Sequence, residues 1–200
     1  MAEPRRRRAA TAEKLARLLD ATEEIILHEG YAAVSSRNVA ARVGINAPLV
    51  HYYFPTIDDL FVAVLRRRAE QMLERMSAAL TSAEPLSAWW ELASDPRGSS
   101  LLAEMIAAAN HRPALREEVG KVAHDLRSMQ IEALHGILGD YGLDADEFPP
   151  ALIAATMQGL AYAVVMEEVA GFDTAHEEAR AAMTRLVARL DQRRASHRAG

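Results

Sequence analysis

The chain has 200 residues, half of them hydrophobic and 26% charged, which is enough to bury the core of one domain and a smaller companion. It contains no cysteine, so disulfide frameworks, thiolate zinc sites, iron–sulfur clusters and cysteine nucleophiles are excluded, and a reducing compartment is compatible. The formal net charge of −5 argues against nucleic acid only until its distribution is read: residues 1–55 carry 8 basic and 6 acidic side chains, residues 56–200 carry 15 and 22.

Alanine is the best helix former, and the chain has 39 alanines against 10 glycines and 8 prolines, so an all-α chain is expected. Residues 1–10 read as a basic, flexible arm. Behind Arg5–Arg8 the apolar stretch of a secretory leader is missing, because Glu13, Lys14 and Arg17 interrupt it, and a cytoplasmic location is expected. Thr11 is the candidate N-cap of a first helix, in which Leu15, Leu18, Leu19, Thr22, Ile25 and Ile26 recur with a period near 3.6 residues and which Gly30 ends. Ser35 and Ser36 offer caps to a short helix with Val39, Ala40 and Val43 on one face, closed by Gly44 in the left-handed conformation. Asn46 caps the next, where Pro48 is tolerated in the first turn, Val50 and Phe54 lie on the inner face, and Pro55 stops it. Thr56, with Asp58 and Asp59 behind it, opens a long helix whose buried stripe reads Phe61, Leu65, Met72, Met76 and Leu80, and whose Arg66, Arg67 and Arg68 read as a solvated face.

Further helices are expected over 86–93, 99–110, 114–138, 150–169 and 174–193, separated by Pro96 with Gly98, by Pro113, by 139–150 and by Gly171. Residues 148–166 carry no charge, which raises the question of a membrane span. Without Phe148 and the two prolines, the helix would be about 24 Å long against a hydrocarbon core of about 30 Å, so it reads as a buried protein helix. About nine helices result, with no strand run and no internal repeat.

The most informative stretch is Ser36–Phe54, SRNVAARVGINAPLVHYYF. Two short helices across a tight glycine-containing turn let one helix brace on the DNA backbone while the next enters the major groove. Val39, Ala40, Val43, Ile45, Val50 and Phe54 form an inner set; Arg37, Ala47, Pro48, His51 and Tyr52 face outward with no acid among them, which suits phosphates and base edges. From about Thr11 to Leu65 the chain resembles the DNA-binding end of the TetR family of bacterial transcriptional regulators. The resemblance rests on the first helix ending at Gly30 and Tyr31, Val39 with Ala40, Gly44 with Ile45, and Val50-His51-Tyr52-Tyr53-Phe54 followed by Asp59-Leu60. It implies an all-helical homodimer, a palindromic double-stranded DNA operator, and a C-terminal domain that binds a small-molecule effector and releases DNA. The expected organisation is an arm over 1–10, a helix-turn-helix domain over 11–57 and an effector-binding and dimerisation domain over 58–200.

By the same resemblance, Arg37 matches a position that reaches a base edge, guanine being the natural partner of a guanidinium fork. Ala47, Pro48 and Leu49 open the recognition helix, and His51, Tyr52 and Tyr53 match phosphate-contacting positions, although Tyr53 equally suits packing on the first helix. Ser36, Asn46 and Thr56 complete the expected DNA-binding set. Two residues depart from the family pattern: His51 stands where tyrosine is common and Ile57 where a phosphate-binding lysine is usual. The Arg5–Arg8 arm could supply the missing cation or be only a charged tail.

In the C-terminal part, Trp89, Trp90, Met105, Asn110, Met129, Met157, Gln158, Tyr162 and Met166 are candidate lining for an apolar effector, a role that ordinary core packing also explains. Ala151, Ala155, Gly159 and Ala163 recur every four residues, a ridge that lets another helix approach closely. The last helix carries Ala179, Met183, Leu186, Val187 and Leu190 on one face and charges on the other, so these two helices form the expected dimer surface. Glu132 with His135 is a single Glu-x-x-His where a di-iron bundle needs two, and His124 would lie about 16 Å from His135, so no metal or other cofactor is expected. No phosphate-binding glycine loop or nucleophile motif occurs, which leaves an enzyme as the weakest reading. A DNA-binding scaffold without effector, acting in chromosome organisation or cell division, is the stronger alternative to a repressor.

Overall fold

The computed structural model describes residues 3–199, apart from the side chains of residues 3–9, Val169 and residues 198–199. The expected contacts of Arg5–Arg8 lie outside the described side chains. Among the described residues there are nine α-helices and no strand: α1 Glu3–Glu29, α2 Ser36–Val43, α3 Ala47–Tyr53, α4 Ile57–Leu80, α5 Pro85–Ala93, α6 Pro96–Ala109, α7 Pro113–Ile137, α8 Pro150–Val169 and α9 His176–Ala199. Short 3₁₀ turns cover Tyr31–Ala33 and Leu138–Tyr141. Helix α1 begins at Glu3, so Thr11 lies inside it and is not its N-cap. The intervening arginines and alanines are good helix formers and leave no reason for a start at residue 11. Pro96 and Pro113, expected as breaks, instead open α6 and α7, as Pro85 and Pro150 open α5 and α8. A first-turn amide has no intrahelical acceptor, so proline costs nothing there and its fixed φ suits the helix.

By contacts the chain divides into two compact units, residues 1–68 with 101–120, and residues 69–100 with 121–200. Helices α4, α6 and α7 contribute residues to both. The buried apolar set of the first unit includes Leu18, Ile25, Ile26, Val39, Val50, Leu60, Phe61 and Val64, together with Leu101, Met105 and Leu115. Around this set runs a network of ion pairs. Arg67 reaches Asp20 at 2.6 Å and Glu23 at 3.2 Å, Arg68 lies 3.6 Å from Glu23, and Arg66 donates two 2.8 Å bonds to Glu118. Arg67 and Arg68 are therefore ties to α1 and not a solvated face, while Arg66 stays exposed and ties α4 to α7. Glu23 is buried and its carboxylate needs the two guanidinium groups. Arg112 pairs with Asp58 and lies over the Phe61 ring, and the Glu104 carboxylate accepts from the Tyr31 amide at 2.8 Å.

In the second unit Trp89, fully buried on α5, sits in a cluster with Met76, Leu86, Leu134, Ala154, Met157, Ala161 and Val187. Helix α9 does not divide as its sequence pattern suggests. Val187 enters the core and Met183 and Leu190 pack against it, but Leu186 is 52% exposed, while two charged residues, Asp191 and Arg194, are buried. The reason is hydrogen bonding. Glu84 gives α5 no side-chain cap, and Asp191 fills that role from α9 by accepting from the amides of Leu86 at 3.4 Å and Ser87 at 2.9 Å and from the Tyr141 hydroxyl at 2.6 Å. Arg194 bonds Asp140 and the Ala83 carbonyl and covers the Tyr141 ring. Helix α8 also differs from expectation, since only a third of its apolar stretch is buried. Ala154, Met157, Ala161, Val164 and Val165 face inward, whereas Ala151, Leu152, Ala155, Thr156, Gly159 and Ala163 are exposed.

Candidate nucleic-acid interface

The two short helices of the first unit are set by residues within or beside them. The Ser35 hydroxyl accepts from the Asn38 amide at 3.2 Å and the Asn46 side chain from the Leu49 amide at 3.2 Å, so each helix has its own N-cap. Between them Gly44 adopts φ +72°, with its amide on the Ala41 carbonyl and the Ile45 amide on the Ala40 carbonyl, the paired bonds of a Schellman closure. Only glycine takes this left-handed turn without strain, and the turn re-aims the chain within three residues. Val39, Ala40, Val50 and Phe54 are buried as the inner set, and Val43 and Ile45 are half-buried. Thr56 and Asp59 then form a reciprocal capping box at the start of α4.

Two further ties were not legible from the sequence. Arg17, on α1, donates to the Val43 carbonyl at 2.9 Å and satisfies the end of α2, and Arg42 pairs with Glu29. Both partners lie far along the chain, and nothing in a local pattern marks which arginine will be used this way.

The outer surface is left for something else. Arg37 is exposed and makes no hydrogen bond or ion pair among the described residues; His51 is exposed, and Tyr52 is 78% exposed with its ring edge-on to the half-buried Tyr53 at 5.2 Å. Pro48 is exposed, and Ala47 and Leu49 are half-buried at the opening of α3. Ser36 is buried in the first turn of α2, and the capping oxygen belongs to Ser35. Asn46 and Thr56 are exposed while serving as caps. No carboxylate occurs between Glu29 and Asp58, so this surface carries only positive or neutral groups.

The family model described as bacterial regulatory proteins of the tetR family matches residues 18–64, which span the core of α1, both short helices and the start of α4. The HTH-type transcriptional regulator CymR of Pseudomonas putida is 27% identical over 169 residues, covering 79% of this chain and 83% of that one. A solved transcriptional regulator from Rhodococcus sp. aligns with a TM-score of 0.68 at 25% identity, over 89% of this chain and 96% of its own. Residues 18–64 thus carry the DNA-binding region described by the TetR-family model, and the chain resembles transcriptional regulators along most of its length. The multidrug binding protein EbrR, solved with imidazole, aligns at 26% identity with a TM-score of 0.57 over 86% of this chain and 94% of that one. The chain is thus a DNA-binding transcriptional regulator with an all-helical fold and an N-terminal helix-turn-helix.

The other candidate residues fall in both units. Trp89, Trp90 and Met157 are buried in the second unit, where Met129, Gln158, Tyr162 and Met166 are half-buried. Met105 is buried and Asn110 exposed in the first unit. On α9, Ala179, Met183 and Leu190 are half-buried. Sequence reasoning passed over Gln130, which is buried on α7 with its side-chain amide unpartnered, because a lone glutamine in a polar helix carries no signal.

Proposed function

We propose that the protein is a ligand-responsive repressor, acting in the cytoplasm as a homodimer on a two-fold operator. The observation that carries the reading is the outer face of α2 and α3. An unpaired Arg37 stands with Pro48, His51 and Tyr52 on a surface free of acids, on helices whose own polar groups are already capped. Arg37 reads a base edge, Ala47, Pro48 and Leu49 meet thymine methyls, and His51, Tyr52 and Tyr53 hold phosphates. Asn46 and Thr56 set their helix starts against the DNA backbone, and Ser36 packs in the first turn of α2 beneath that surface. The exposed small-residue face of α8, with Ala151, Ala155, Gly159 and Ala163, pairs with its copy beside Leu186 of α9, and two recognition helices then meet major grooves about 34–36 Å apart. A mainly apolar effector binds among Trp89, Trp90, Met129, Met157, Gln158, Tyr162 and Met166, as the relative EbrR is named for binding drugs. Helix α4, which contributes to both units, carries the signal. A coupling of about 1–3 kcal/mol suffices for release.

Selection from a random duplex library, followed by anisotropy titrations, tests this. A two-fold sequence is expected, and Arg37→Ala should lower discrimination at one position per half-site by about 1–3 kcal/mol. Unchanged binding to every single-position operator variant would refute the base-reading role, and a monomer at micromolar concentration in sedimentation would remove the two-site mechanism.

A further inference from the structure

We infer that the core of the second unit is built to hold a neutral, largely apolar molecule carrying one hydrogen-bond acceptor, gripped by the side-chain amide of Gln130 and the indole N–H of Trp89. The inference deepens the effector reading above and rests on it. Gln130 is 1% exposed and Trp89 fully buried, yet neither the Gln130 Nε2 nor the Trp89 Nε1 has a hydrogen-bond partner. A buried donor that has given up water and found nothing in return is a standing cost, and a fold retains it where something else completes it. The neighbouring Trp90 shows the contrast, since its indole donates to the Thr184 hydroxyl at 3.0 Å and is satisfied within the fold.

The two unmade donors belong to the same unit and to helices that share one apolar cluster. Gln130 lies four residues from both Leu126 and Leu134 on α7, and both leucines pack in the cluster that contains Trp89, so Gln130 sits on the helix stripe that faces that cluster. Methionines make up much of the surrounding wall: Met76 and Met157 are buried in the cluster and Met72, Met129 and Met183 pack against it. Unbranched thioether side chains re-pack around a guest at low cost. The ligand's charge follows from the charged groups of the same unit. Its buried charged or titratable residues are already engaged: Asp191 with Tyr141 and the start of α5, Arg194 with Asp140, and His176 with Glu167 at 2.6 Å. No unpaired buried charge among the described residues is left to hold an ion, whereas an indole can only donate, so the guest offers a carbonyl, ether or hydroxyl oxygen and no net charge.

The test uses the full chain and three matched probes: propiophenone, propylbenzene and 3-phenylpropanoate, titrated by calorimetry with thermal shift alongside. The ketone should bind about tenfold more tightly than the hydrocarbon, the return expected from completing a buried donor, and the carboxylate more weakly than the ketone. Gln130→Leu should raise the melting temperature of the ligand-free protein and abolish the ketone's advantage, and Trp89→Phe should reduce that advantage. The Gln130 variant keeps the test sharp if the Trp89 variant folds poorly. Equal binding of ketone and hydrocarbon, preference for the carboxylate, no binding of any probe, or an undiminished ketone advantage in Gln130→Leu overturns the inference. Operator binding by the ligand-free chain is read separately. Its absence would sink the regulator reading, and ketone binding that leaves the operator complex intact would keep the site while removing its regulatory role.

Discussion

The helix-turn-helix and the α5–α9 packing of the second unit solve the same problem, the unsatisfied ends of helices, at opposite ranges. In the first, Ser35, Gly44 and Asn46 close α2 and α3 with partners three to five residues away, and Arg17 adds a bond to the end of α2 from farther along the chain. In the second, the start of α5 is closed by Asp191, more than a hundred residues along the chain. A local cap stabilises one helix end and can be lost alone, whereas a distant one ties together every element in its network. The DNA-reading surface is thus placed by short-range geometry and its outer side chains stay free, while the interior of the second unit is held by a few long-range polar contacts around a soft apolar cluster.

Mutations at each kind of contact should separate the two. Asp191→Ala strips acceptors from Leu86, Ser87 and the Tyr141 hydroxyl together, and should cost about 3 kcal/mol in urea unfolding. The same variant should change the alkaline limb of stability. Burial first, and then the bond to Asp191, push the Tyr141 phenol above its ordinary range. The folded chain therefore keeps a proton that the unfolded chain loses above about pH 10, so this contribution is complete below that pH and fades as pH rises beyond it. Removing Asp191 should move the Tyr141 titration downward in an ultraviolet phenolate titration and shallow the loss. Glu23→Gln should cost about 2 kcal/mol by leaving Arg67 and Arg68 short of a carboxylate on α1, with a smaller penalty in high salt. Asn46→Ala, a single local cap, should cost about 1 kcal/mol and weaken operator binding without disturbing the second unit's tryptophan fluorescence. If Asn46→Ala proves as costly as Asp191→Ala, the distinction between local and distant closure fails.

The family resemblance, the all-helical fold and the helix-turn-helix were legible because their determinants are local in sequence. Caps, the left-handed glycine, first-turn prolines and the 3.6-residue period of Leu18, Thr22, Ile25 and Ile26 act over a few residues, where pattern and structure coincide. Pro96 and Pro113 act over the same short range, marking helix boundaries in the sequence and opening α6 and α7 in the fold. The net charge of −5 likewise resolved into a front portion without carboxylates from residue 30 to 57 and an acidic remainder. What tertiary structure alone decided was the fate of individual side chains on each helix face. Arg66–Arg68 became ties, Asp191 and Arg194 went inside, Leu186 stayed out, and Gln130 was buried with its Nε2 unpartnered. Helical periodicity gives each residue an angle around its own axis, but which angle points inward depends on where distant helices present an amide, a carboxylate or a ring, and that is settled only when the chain packs.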